Sequence, residues 1–113
     1  MQINSLKGTN MEVTEAIRDY VFSKLEMIEK LVVNYEPVAE LSVEVGKTTL
    51  HHNKGPFFRC EMNLKLPGVM LRAEQEAGDL YAAIDGVKDQ LREQIKRHKE
   101  KKMDKQRVPR PGK

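Results

Sequence analysis

Phe58-Arg59-Cys60-Glu61-Met62-Asn63-Leu64-Lys65-Leu66-Pro67-Gly68-Val69-Met70-Leu71-Arg72-Ala73 is the stretch whose reading decides the fold. Phe58, Cys60, Met62, Leu64 and Leu66 face one way, while Arg59, Glu61, Asn63 and Lys65 face the other. That period of two predicts a strand with one buried face. Pro67-Gly68 is a tight-turn signal, and Val69, Leu71 and Ala73 begin a second alternating run beyond it. Upstream, Ala39, Leu41, Val43 and Val45 alternate with Glu40, Ser42 and Glu44, which predicts another strand over Val38 to Val45. Antiparallel strands with one apolar face need a cover on that face only.

Working outward, two helical patterns supply the cover. Thr14 is a hydroxyl N-cap, and Glu15 suits the positive end of the helix dipole. Ile17, Val21, Leu25, Ile28 and Leu31 then recur at spacings of three and four, with Tyr20 and Lys24 at the edges of the stripe. Val32-Val33 closes the helix, and Asn34 and Pro37 mark its exit. The last element opens at Gly78-Asp79, with Asp79 as N-cap. Its stripe is Leu80, Tyr81, Ile84, Val87, Leu91 and Ile95. A helix from about Leu80 to Lys101 would be roughly 33 Å long at 1.5 Å per residue, and its last turns outrun so small a domain. Gln2 to Lys7, ended by Gly8, reads as a first short strand. The expectation is an α+β fold of order β-α-β-β-β-α, a four-stranded sheet with two helices packed on one face. The domain spans 1–101, and 102–113 form a basic flexible tail with two prolines and almost no apolar side chains.

Composition bounds the rest. The 113 residues suit one domain, and 39% hydrophobic content is enough for one core. No apolar run approaches the roughly 20 residues that cross a bilayer, and the first residues lack a charged segment followed by an apolar one. Cys60 is the only cysteine, which excludes an internal disulfide and fits a reducing compartment. A cytoplasmic protein is expected. The net charge is only +3, but it is polarised. Residues 1–78 carry nine basic and eleven acidic side chains, net −2, whereas residues 95–113 carry nine basic and two acidic ones, net +7. A basic helix end that continues as a basic tail is the footprint of phosphate binding. The plainer alternative, cations that complement a helix C-terminus and solvate it, needs fewer of them.

Catalytic and metal readings fail on spacing. Gly46-Lys47-Thr48 would be a P-loop only with glycine five positions before Gly46, and Leu41 stands there. His51-His52 have too few partners for zinc, since side chains adjacent on a strand diverge and only Cys60 is near in sequence. Cys60 falls on the apolar face of its strand as a buried filler. His98 lies near the basic helix end, solvated or beside a phosphate. No carboxylate pair has a spacing for acid–base work. Neither an enzyme nor a cofactor is expected.

Met11-Glu12-Val13-Thr14-Glu15-Ala16-Ile17-Arg18 resembles the start of the first helix in the ribosome hibernation promoting factors. Asp79-Leu80-Tyr81-Ala82-Ala83-Ile84-Asp85 resembles the start of their second helix, and Gln94-Ile95-Lys96-Arg97-His98-Lys99 continues it. The resemblance covers about residues 1–101. It implies a fold similar to double-stranded RNA-binding domains and binding in the small ribosomal subunit, over the messenger and transfer RNA channel, under stress or in stationary phase. It also implies basic side chains on the solvent faces of both helices. Lys24 and Lys30 fit in the first helix, and Arg97 and Lys101 fit in the second. Met27, Gln90 and Glu93 stand where the family commonly has basic residues. This sequence instead carries Lys88, Arg92 and Lys96, spaced by four on the flank of the apolar stripe. The seven cations are the expected RNA contacts of a short-form factor, a monomer when free. The rival readings are a generic double-stranded RNA-binding module and a protein-interaction domain whose basic tail meets an acidic partner.

Overall fold

A computed structural model describes residues 1–35, 38–48 and 57–106. In chain order they form β1 (Gln2–Thr9), α1 (Glu15–Leu31), a 3-10 turn (Val33–Tyr35), β2 (Glu40–Lys47), β3 (Phe58–Leu66), β4 (Val69–Ala77) and α2 (Leu80–Gln106). This is the expected α+β order. The strands lie side by side as β1-β2-β3-β4. β1 pairs parallel to β2 across the α1 crossover, and the other two pairings are antiparallel.

The hairpin quoted at the outset forms as its pattern requires. Leu66 pairs with Val69, so Pro67 and Gly68 alone make the turn. Gly68 sits at φ +77°, a left-handed conformation that a Cβ would strain. On the strands, Cys60, Met62, Leu64 and Leu66 are buried, as are Leu41, Val43 and Val45 of β2. The helices close over this face. Thr14 caps α1 by accepting from the Ile17 N–H at 3.2 Å. Asp79 caps α2, its carboxylate accepting from the Tyr81 N–H at 3.3 Å. Ile17, Val21, Leu25 and Ile28 of α1, and Ile84, Val87, Leu91 and Ile95 of α2, join the strands in one hydrophobic cluster. No helix among the described residues is long and apolar enough to cross a membrane.

Several details depart from the sequence expectation. β1 runs to Thr9 rather than stopping before Gly8, because Gly8 and Thr9 still pair with Val45 and Gly46. β2 is shifted two residues along, to Glu40–Lys47. The α1 stripe ends on Val32, fully buried, rather than on half-buried Leu31. Val32 lies four residues after Ile28 and so closer to the stripe's centre at 100° per residue. Along α2, Ala83 is buried and Tyr81 is exposed; the two flank the stripe at similar angles, so the way the helix packs decides between them. α2 also continues to Gln106, five residues into the segment expected as tail. No proline or glycine interrupts Lys102 to Gln106, and lysine, methionine and glutamine are good helix formers. The rest of that segment, 107–113, lies outside the described residues, as does His51-His52.

Candidate nucleic-acid interface

The sheet has one covered face and one open face, and charge is organised differently on each side. Across the open face, register sets Glu44 beside Glu61 and Glu61 beside Glu74. Like charges in adjacent strands repel unless cations intervene. Arg59 donates to Glu61 at 2.8 Å and also to Glu74. Arg72 lies 2.6 Å from Glu61 and 3.8 Å from Glu74. Asn63 adds a donor to Glu61 at 3.4 Å. Burial pushes the Glu61 carboxyl up, but the hydrogen bonds from Arg59 and Asn63, with the charges of Arg72 and Arg59, hold it below its ordinary value. Both guanidiniums of this face are therefore committed to carboxylates.

The helical side is different. α1 and α2 face each other along a seam that begins at Tyr20 and Tyr81, whose rings meet edge to face at 4.6 Å and 78°. The Tyr20 hydroxyl donates to Asp85, 2.8 and 3.0 Å from its two oxygens. That bond, with burial and the charge of Asp85, holds the Tyr20 hydroxyl above its ordinary value. Lys24 lies 3.5 Å from the same carboxylate and 5.0 Å from the Tyr20 ring centroid. Asp85 thus ties the two helices together at one point.

The seven cations singled out in the sequence divide around this seam. Lys24 lines it from α1. Lys88 follows Asp85 on the α1-facing flank of α2; its side chain is only 14% exposed and it pairs with Asp89 at 2.8 Å. Arg92 and Lys96 continue the row and are exposed, because steps of four residues drift outward by about 40° each. Neither has an ion-pair partner among the described residues. Lys30 is exposed on the outer side of α1, opposite the buried stripe. Arg97 and Lys101 lie on the other flank of α2, where with Gln94 and His98 they line a cleft against Val69 and Leu71 of β4. The same flank carries Gln90, which donates to Gln75 at 2.7 Å, and Gln94, which donates to the Arg72 carbonyl at 2.8 Å. Gln90, a departure from the family habit, has a packing partner here. The structure therefore groups Lys24, Lys88, Arg92 and Lys96, and separates them from Lys30 and from the pair Arg97 and Lys101.

Tyr20, Asp85 and Tyr81 are the seam residues that the sequence pattern assigns to no site. The signal was present for Tyr81, which lies about a quarter-turn from the centre of the α2 stripe. Nothing local marks Asp85, since its partners come from another helix. Cys60 is buried, and burial pushes its thiol up to about 12, so it stays protonated and inert. Among the described residues no group of three or more His, Cys, Asp or Glu side chains could hold a metal ion.

The family described as Sigma 54 modulation protein / S30EA ribosomal protein matches residues 5–103. The chain belongs to that family. A ribosome hibernation promoting factor of Pseudomonas putida is 36% identical over 101 residues, 89% of this S30EA-family chain and 89% of its own length. A ribosome hibernation promotion factor of Deinococcus radiodurans is 34% identical over 111 residues; the match takes in 98% of this chain but 56% of that protein. The N-terminal domain of Thermus thermophilus Protein Y superposes with a TM-score of 0.65 at 40% identity, covering 87% of this chain and 99% of that one. A ribosomal subunit interface protein from Coxiella burnetii shares the fold, with a TM-score of 0.66 at 21% identity over 88% of this chain and 98% of its own. As an S30EA-family member the protein is a binding protein and not an enzyme.

Proposed function

We propose that this protein is a ribosome hibernation factor that occupies the messenger and transfer RNA channel of the small ribosomal subunit and stops translation during stress or stationary phase. Family membership supports the ribosome-associated role. The observation that carries the finer reading is the charge asymmetry of the fold. The arginines of the open sheet face are neutralised by Glu61 and Glu74, whereas Arg92 and Lys96 project unpaired among the described residues from the helical side. A phosphate backbone would meet a row of available cations on that side. Such contacts fix position and orientation without reading sequence, which suits a protein that recognises one RNA shape. Arg92 and Lys96 form the main contact, with Lys24 and Lys88 beside them engaged by Asp85 and Asp89; Lys30, Arg97 and Lys101 flank the row, and the free protein acts as a monomer.

The test is sedimentation of purified protein with ribosomes. Wild-type protein should travel with the small subunit and resist stripping by excess duplex RNA, and Lys88→Glu/Arg92→Glu/Lys96→Glu, still folded by circular dichroism, should stay at the top of the gradient. Release by competitor duplex would favour a generic double-stranded RNA binder. Wild-type binding by the triple variant would move the contact to the Arg97 and Lys101 flank.

A further inference from the structure

Tyr81 is the one large side chain of the α2 stripe that the core does not take in. It stands in the first turn of α2, 37% exposed. Its ring is not loose, because it meets Tyr20 edge to face and Tyr20 is itself held by Asp85. Part of an aromatic surface is therefore kept in water at a set orientation. Met27, 41% exposed, extends the same apolar strip along α1. One turn below the ring stands Asp85, engaged by Tyr20 and Lys24 of α1; beyond it Lys88, Arg92 and Lys96 follow at one-turn intervals of about 6 Å.

A rigid aromatic surface at the head of a row of cations matches the chemistry of an unpaired nucleotide, whose base stacks while the neighbouring phosphates meet the lysines and arginines. A duplex keeps its bases stacked on each other and offers the ring nothing. We infer that Tyr81 is a stacking platform for an unpaired RNA base, so that the RNA segment seated on the helix seam is single-stranded. The inference rests on the RNA-binding function proposed above and adds the residue that selects strandedness.

The experiment compares wild type, Tyr81→Phe and Tyr81→Leu on a twelve-nucleotide single-stranded oligoadenylate, a twelve-base-pair RNA duplex and purified small subunits, with Tm measured for each protein. Tyr81→Phe keeps the ring and should bind oligoadenylate as wild type does. Tyr81→Leu should lose about 5- to 150-fold on oligoadenylate, the range for one stacked base, with the same salt slope and no loss on duplex. The chain has three tyrosines and no tryptophan, so oligoadenylate should quench tyrosine emission in wild type and less in Tyr81→Leu. Equal binding of oligoadenylate by wild type and Tyr81→Leu overturns the inference, as does an equal loss on duplex. A loss confined to ribosomes also overturns it, and means that Tyr81 meets a protein side chain there. Wild-type protein that fails on small subunits as well as on both RNAs would instead overturn the function beneath it.

Discussion

At the scale of single residues, Glu61 shows how a half-hidden charge is managed. Its side chain is 12% exposed, between Arg59 on its own strand and Arg72 on the next. Because its carboxyl titrates lower in the folded protein than in the unfolded chain, the folded state is favoured above the unfolded pKa. That advantage fades as pH falls through the folded one. Thermal unfolding of wild type and Glu61→Gln should therefore differ most near pH 7, with the variant less stable, and converge towards pH 3. Parallel curves across that range would show that the ion network contributes nothing through Glu61. At this scale the sequence was legible only in part. Alternation assigned Arg59 and Glu61 to the outward face, but their pairing with Glu74 and Arg72 depends on a register that joins residues eleven to fifteen positions apart.

At the scale of elements, α2 packs against β4 with Gly86 facing Gln75. A Cβ on Gly86 would come 2.8 Å from the Gln75 Cγ, and Gln75 accepts from Gln90 one turn further on. Glycine inside a helix costs about 1 kcal/mol relative to alanine, so a helical glycine needs a packing reason. A double-mutant cycle tests it. Gly86→Ala should stabilise a Gln75→Ala background by about 1 kcal/mol, the full propensity gain. In wild type the same change must displace Gln75, and most of that gain should vanish in chemical denaturation. Additive effects would mean that Gln75 moves aside at no cost. The element boundaries follow the same division of information. Caps at Thr14 and Asp79 and the turn at Pro67-Gly68 were readable because their chemistry is local. The ends of β1 and β2 were not, because a strand stops where its partner stops.

At the scale of the whole molecule, the longest element outruns the core. Among residues 80–101 of α2 the last buried one is Ile95, yet the helix continues to Gln106. Residues 102–113 hold five basic side chains and one acid, Asp104, and a chain ending at Lys101 would lack all of them. Its Tm should barely change, since the core ends before the cut. Its ribosome affinity should fall. The plot of log affinity against log salt should also flatten, by about 0.7 for each single-strand phosphate that is no longer neutralised. Unchanged affinity and slope would leave the electrostatics to the cations of the helix seam and its flanks.

The sequence alone determined the α+β class and the order of its elements, since a period of two and a period near 3.6 are properties of neighbouring residues. It also determined that positive charge gathers towards the C-terminal end, since that is a matter of counting. The tertiary structure decided which cations are available. Arg59 and Arg72 are matched by carboxylates through strand register, Lys24 and Tyr20 are held by Asp85 across the helix seam, and Lys88 is largely sheltered while Arg92 and Lys96 project. The reason is physical: a charge's worth to a phosphate depends on its neighbours in space and its exposure to solvent, and both are set by the azimuth at which a helix packs and the register at which strands pair.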